Sequence, residues 1–179
     1  MLSDNYMLSE KLKKSLNDQM LMEYCSSLLY LAASHYFTIR NFKGLAHWFD
    51  LQSQEEYSHF KRFLNLFKRL RANPTFEGIP LVSNDWTNVK SVIDQAVKHE
   101  QNISTAIHDL YSVSYADKNI LVCDFFKWFI DEQLEEENSI LDVQDLYKKY
   151  EDGKTDLIDF DRSLLERKKE YEHVKEERS

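Results

Sequence analysis

Four seven-residue columns run through this chain, and each is apolar except for a single glutamate. They read Leu16, Glu23, Tyr30, Phe37; then Phe49, Glu56, Phe63, Leu70; then Ile93, Glu100, Ile107; then Val122, Phe129, Glu136, Val143. Residues seven apart return to the same face of a helix, so each column is the core-facing stripe of one helix. A carboxylate in such a stripe is protonated, salt-bridged or bound to a cation, because burying it unpaired costs too much. No Lys or Arg stands in any of the columns. Two divalent cations bridged among the four carboxylates would neutralise them all. His59 follows Glu56 by three residues on the same helix face, and its nitrogen points to a transition metal rather than Ca²⁺ or Mg²⁺. The competing reading is a metal-free bundle whose glutamates sit solvated at the core edge; four in register weigh against it.

Length and composition agree with helices. The 179 residues suit one domain, taken as 1–179. Three Gly and two Pro are few beside average usages of about 7% and 5%, so the helices should run long and uninterrupted. A formal net charge of -8, from 31 acidic and 23 basic residues, argues against a nucleic-acid partner and suits attraction of cations. Cys25 and Cys123 make no disulfide framework, and Cys25 reads as a small core residue. The start Met1-Leu2-Ser3-Asp4-Asn5 lacks the features of a signal peptide. No apolar run approaches the roughly 18 residues of a membrane span, so a cytoplasmic protein without membrane contact is expected.

The pattern predicts a bundle over about 9–150, with helices over about 9–38, 45–71, 89–116 and from 120 to about 150. Asn41 or Gly44 supplies the permissive residue of the first turn, and Thr87 is the expected cap of the third helix. His99 should point to the surface, about 100° around the helix from Glu100. Residues 72–88 carry both prolines and Gly78. Such a length is needed only if the chain crosses the full height of the bundle, about 40 Å for a 27-residue helix. Two antiparallel hairpins joined by one long crossover follow. Gly153 ends the fourth helix, and a fifth helix over about 156–175 has an apolar half, Leu157, Phe160, Leu164 and Leu165, that must dock somewhere. The tail from 170 to 179 should fray.

Several stretches together resemble the bacterial non-haem ferritins, in that family's order and at its spacing. They are Leu16 to Met20, Glu23-Tyr24-Cys25-Ser26-Ser27-Leu28-Leu29-Tyr30, Gln54-Glu55-Glu56-Tyr57-Ser58-His59, Lys98-His99-Glu100-Gln101, and Trp128 to Glu137. The resemblance covers nearly the whole chain. It implies a ferritin-like all-α four-helix bundle whose short fifth helix lies across one end and lines an axis of a hollow 24-subunit shell of identical chains. It implies iron storage and detoxification by a ferroxidase: Fe(II) is oxidised at a di-iron centre by dioxygen or hydrogen peroxide, and Fe(III) mineral is deposited inside. One iron falls to Glu23, Glu56 and His59, the other to Glu56, Glu100 and Glu136, with Gln133 a weak ligand or a hydrogen-bond donor. Tyr30 is either a source of an electron or hydrogen bond or an ordinary core aromatic. Glu55, Glu132 and Glu135 flank the pair, where the family holds a third iron. Gln133-x-x-Glu136 stands where bacterioferritin and rubrerythrin repeat Glu-x-x-His, leaving the second iron without imidazole. Haem is not expected, since Tyr57 replaces the Met that bacterioferritin uses. A di-iron oxygenase or radical-generating protein acting on an organic substrate is the alternative, although 179 residues leave little room for a substrate pocket.

Overall fold

A computed structural model of the chain describes residues 7–76, 78 and 84–166. Four long helices, α1 (Glu10–Thr38), α2 (Lys43–Arg69), α3 (Val89–Ala116) and α4 (Ile120–Glu151), are followed by a short α5 (Leu157–Ser163) that runs into a 3₁₀ turn at Leu164–Glu166. There is no strand among the described residues. Residues 1–6, the crossover stretch with Ile79, Pro80 and Leu81, and the segment from 167, which held the end of the expected fifth helix and the fraying tail, lie outside the described residues.

Local chemistry sets the helix starts. Ser9 accepts from the Leu12 N–H, Asn119 from Val122 and Asp156 from Asp159, each satisfying a donor that the first turn leaves open. The cap of α3 is Asn88, not Thr87. Asn88 and Ser91 form a reciprocal capping box, and the Thr87 N–H merely donates to Ser91 Oγ at 3.2 Å. The left-handed residues among those described are Asn41 (φ 61°), Arg71 (φ 52°), Gly78 (φ 73°), Lys118 (φ 54°) and Gly153 (φ 69°).

Gly44 has a different task from the turn role expected of it. It lies inside the first turn of α2, where a Cβ would stand 1.5 Å from the Asp161 carbonyl oxygen. The Leu45 N–H also donates to Asp161 Oδ1 at 2.9 Å. The missing side chain therefore lets α5 lie against the start of α2 and cap it from 116 residues away. The docked end buries Phe160 and Leu164, with the Phe160 ring 5.6 Å from that of Tyr147.

Two apolar clusters give the topology. One joins Leu12 and Leu16 at the start of α1 to Phe63 and Phe67 near the end of α2, Ile107 and Leu110 near the end of α3, and Val122 and Phe126 at the start of α4. The other joins the end of α1, the start of α2, the start of α3 and the end of α4 through Phe37, Phe49, Ile93 and Val143. Helices α1 and α4 thus run one way and α2 and α3 the other. The link between α2 and α3 must span the bundle, as its length predicts. Glu23, Glu56, Glu100 and Glu136 fall between the two clusters, at mid-height.

Candidate metal centre

All four column glutamates are buried, none more than 6% exposed. Each meets a different donor. The Gln19 Nε2 donates to Glu23 Oε1 at 2.8 Å, within α1. His59 Nδ1 stands 3.4 Å from Glu56 Oε2 and 3.8 Å from Glu23 Oε2, joining α1 to α2. The Gln133 Nε2 donates to Glu100 Oε2 at 2.8 Å and to the Glu100 carbonyl at 3.2 Å, and Tyr30 donates its hydroxyl to Glu100 Oε1. The Gln52 Nε2 donates to Glu136 Oε2 at 2.6 Å, joining α2 to α4. Among the described residues the only ion-pair partner of these four carboxylates is His59.

Burial with so little positive charge favours protonated carboxyls. Burial raises Glu56 well above the usual carboxylate range, against the pull of its bond to His59. Burial raises Glu100 too, even with Tyr30 and Gln133 donating to it, and pushes Glu136 up to about 8. For His59, burial alone would depress the imidazole, but its bonds to Glu132 and Glu56 outweigh that and raise it well above the ordinary value. Burial and the neighbouring Glu100 raise the Tyr30 phenol.

Glu23, Glu56 and His59 each offer a ligand atom, and these atoms lie within 4.8 Å of one another. His59, Glu132 and Glu136 do the same. His59 belongs to both groups because its ring nitrogens face opposite ways, Nδ1 to Glu56 and Nε2 to Glu132 Oε1 at 3.5 Å. The ring is held edge-on by Trp128 and Phe129, at 5.5 and 5.7 Å between centroids. The Arg62 guanidinium lies 3.6 Å over the Trp128 ring. Of the three flanking acids, Glu132 reaches the site; half-buried Glu55 and exposed Glu135 belong to neither group.

The sequence pattern missed Gln19 and Gln52, both buried polar residues in inward positions. Gln52 stands seven residues before His59, between Leu45 and Leu66 in that column, and this was the available signal. His99 is not a surface residue as expected. It is half-buried, with Nε2 2.7 Å from Ser26 Oγ and its ring edge-to-face with Tyr30 at 5.9 Å. Burial takes its pKa down to about 4, so it is neutral beside the site. The Ser26 hydroxyl donates to the Met22 carbonyl and receives from His99, which pins α3 to α1.

Comparison with known proteins agrees with this geometry. The family profile described as a ferritin-like domain matches residues 13–149. The chain is 33% identical over 153 residues to a bacterial non-heme ferritin of Bacteroides fragilis, covering 86% of this chain and 96% of that protein. It is 32% identical over 166 residues to a probable bacterial non-heme ferritin-like protein of Haemophilus influenzae, covering 90% and 99%. An open-pore ferritin of the hyperthermophilic archaeon Archaeoglobus fulgidus superimposes with a TM-score of 0.85 at 27% identity, over 90% of this chain and all of that one. Mid-bundle carboxylates on four helices, the crossed hairpins and these relatives place the chain in the ferritin-like family, among the bacterial non-haem ferritins.

Proposed function

We propose that this chain stores iron, oxidising Fe(II) at a di-iron centre and passing Fe(III) into the hollow of a shell of identical, cytoplasmic subunits, with 1–179 forming one domain. The observation that carries the reading is the convergence of four buried carboxylates and one imidazole without a Lys or Arg partner among them.

Glu23, Glu56 and His59 hold one Fe(II) and Glu56, Glu100 and Glu136 the other, with Glu56 bridging. Gln133 holds Glu100 in place by its Nε2 and stands as a weak neutral donor beside the second iron. Four carboxylates balance the charge of two Fe(II). Each iron gives up one electron, and the pair of electrons with two protons reduces dioxygen to hydrogen peroxide, or hydrogen peroxide to two waters. Two Fe(III) then exceed the site's negative charge by two, which favours hydroxide over protein ligands and lets the product leave. The protein contributes proximity and a pre-shaped anionic cavity.

Exposed Leu28 and Leu31 on α1, and Ile158 and Leu165 at the docked end, are apolar surface that a shell contact would cover. No helix among the described residues is long and apolar enough to cross a membrane.

Stopped-flow Fe(II) oxidation with sedimentation velocity tests the reading. Wild type should sediment as a large hollow particle and oxidise two Fe(II) per chain in a fast phase. Glu56→Ala and His59→Ala should each abolish that phase, and Glu56→Ala, which relieves carboxylate crowding, should leave the metal-free melting temperature unchanged or raised. A monomer at micromolar concentration overturns storage. Variants that oxidise iron at the wild-type rate overturn the di-iron assignment.

A further inference from the structure

We propose that Gln52 is a positioning residue for the second cation, holding Glu136 through Nε2 and taking a water of the hydrated divalent cation on Oε1. The inference rests on the di-iron reading above and assigns a residue that the ligand set leaves out.

The Gln52 side chain is buried at 1% exposure. Its Nε2 is used, 2.6 Å from Glu136 Oε2, but its Oε1 is buried with no hydrogen-bond partner among the described residues. Native proteins seldom leave a buried amide oxygen unpaired. Turning the amide over does not help. It would only move the orphan, leaving the buried Nε2 without an acceptor, and once a cation sits on Glu136 its free oxygen takes the NH₂ and leaves Oε1 open. Gln52 precedes Glu56 by one turn on the same helix face, so the free oxygen belongs to the same side of α2 as the bridging carboxylate.

Neighbouring bonds fix this placement. Ser27 Oγ donates to the Ser53 carbonyl and Ser53 Oγ to the Ser27 carbonyl, both at 2.8 Å, locking α1 to α2 beside Gln52. Three glutamines donate to site carboxylates, and of these only Gln52 has its amide oxygen buried without a partner among the described residues. Its place beside Glu136 is chemically apt. The second position has no imidazole, so its cation keeps more of its own water, and water on a dication is a strong donor.

The test uses Zn(II), which binds without redox chemistry, on the assembled protein. Anomalous diffraction of soaked crystals reads each position separately, and calorimetric titration reads affinity. Gln52→Leu keeps the shape but removes both polar ends. It should leave zinc at Glu23, Glu56 and His59 and weaken the second position tenfold or more. Gln52→Glu keeps an acceptor oxygen but loses the donor to Glu136, and should still hold zinc at the second position at pH 7.5. Equal occupancy of both positions in Gln52→Leu overturns the proposal alone. Loss of the second position in Gln52→Glu does the same, and decides the matter if the Leu variant fails to assemble. Wild type without zinc at Glu100 and Glu136 removes the di-iron reading, and this proposal with it.

Discussion

Glu132 stands on the far side of His59 from the paired carboxylates, its Oε1 3.5 Å from Nε2 while Nδ1 looks toward Glu23 and Glu56. A metal-binding imidazole is commonly fixed in this way, with a carboxylate on the nitrogen that does not ligate. Glu132 comes from α4 and His59 from α2, so the pair also ties together helices of the two hairpins.

That geometry makes Glu132 an orienting group as well as a flanking acid. Glu132→Ala should weaken Zn(II) at the Glu23, Glu56, His59 position by about 10- to 100-fold, the usual cost of removing such a partner. Glu132→Gln retains an acceptor oxygen and should recover part of the loss. Calorimetric titration with both variants checks this; wild-type affinity in Glu132→Ala would leave the contact without consequence.

Protonation of the metal-free site sets a pH dependence whose sign is fixed. An unfolded carboxyl titrates near about 4.3, whereas Glu136 is pushed up to about 8 and Glu56 and Glu100 are raised as well. The folded state therefore holds more protons than the unfolded chain across that window. The stabilisation is fully present below the unfolded value and is lost as pH rises to about 8 for Glu136, at about 1.4 kcal/mol per pH unit for each proton retained. His59, raised above its ordinary value, contributes in the same direction. Calorimetry of the metal-free protein should show its melting temperature falling from pH 5.5 to 8, with a shallower fall in Glu136→Gln. Zn(II) binding at pH 7 should release protons, seen as a dependence of binding heat on buffer. A melting temperature that rises over this range would contradict the protonated site.

The four glutamates were legible because a charge in an apolar column breaks the pattern of its own helix. Partnerships between helices were not. Gln52 is a neutral amide that looks unremarkable in sequence, and its partner Glu136 lies 84 residues away on α4. Glu132 could be placed beside Glu136 by helix geometry, but nothing in α4 alone brings it to His59. Asn88 and Thr87 both carry suitable capping chemistry, and only the backbone decides between them. The angle that set His99 apart from Glu100 was sound, but that direction faces α1 rather than water. In sequence Gly44 looks like a turn residue, since the close approach of Asp161 depends on a segment more than a hundred residues later.

Gly44→Ala tests that approach. A Cβ 1.5 Å from a backbone carbonyl oxygen cannot be relieved by a side-chain rotation, so α5 or the start of α2 must shift. The strain should be at least the ~1–3 kcal/mol of ordinary overpacking, with the bond from Leu45 N–H to Asp161 Oδ1 lost as well. Hydrogen exchange should show lost protection at residues 157–163 and at the first turn of α2, while α3 keeps its own. Unchanged protection around Phe160 would mean that the docking tolerates a side chain there.

A third iron should bind beside the pair. Glu132 and Glu136 gather with His59, Glu55 lies close enough for its charge to raise Glu136, and Glu135 is exposed one residue before it. A cation there would have carboxylate and water ligands, because His59 Nε2 is already turned to Glu132. It should bind more weakly than the position containing His59. Filling it draws Glu132 away from the imidazole, so the third iron should bind only after the pair is full and should loosen the first position as it does. Such a site suits the staging of Fe(III) on its way out, or the supply of a further electron during dioxygen reduction. Anomalous diffraction at rising Fe(II) under anoxia should show this density appearing last. The Glu55→Ala, Glu135→Ala double variant should lose it and change the oxygen consumed per iron. Density confined to two positions at every dose, with unchanged stoichiometry in the variant, would leave Glu55 and Glu135 as a solvated acidic edge and Glu132 as the holder of His59 alone.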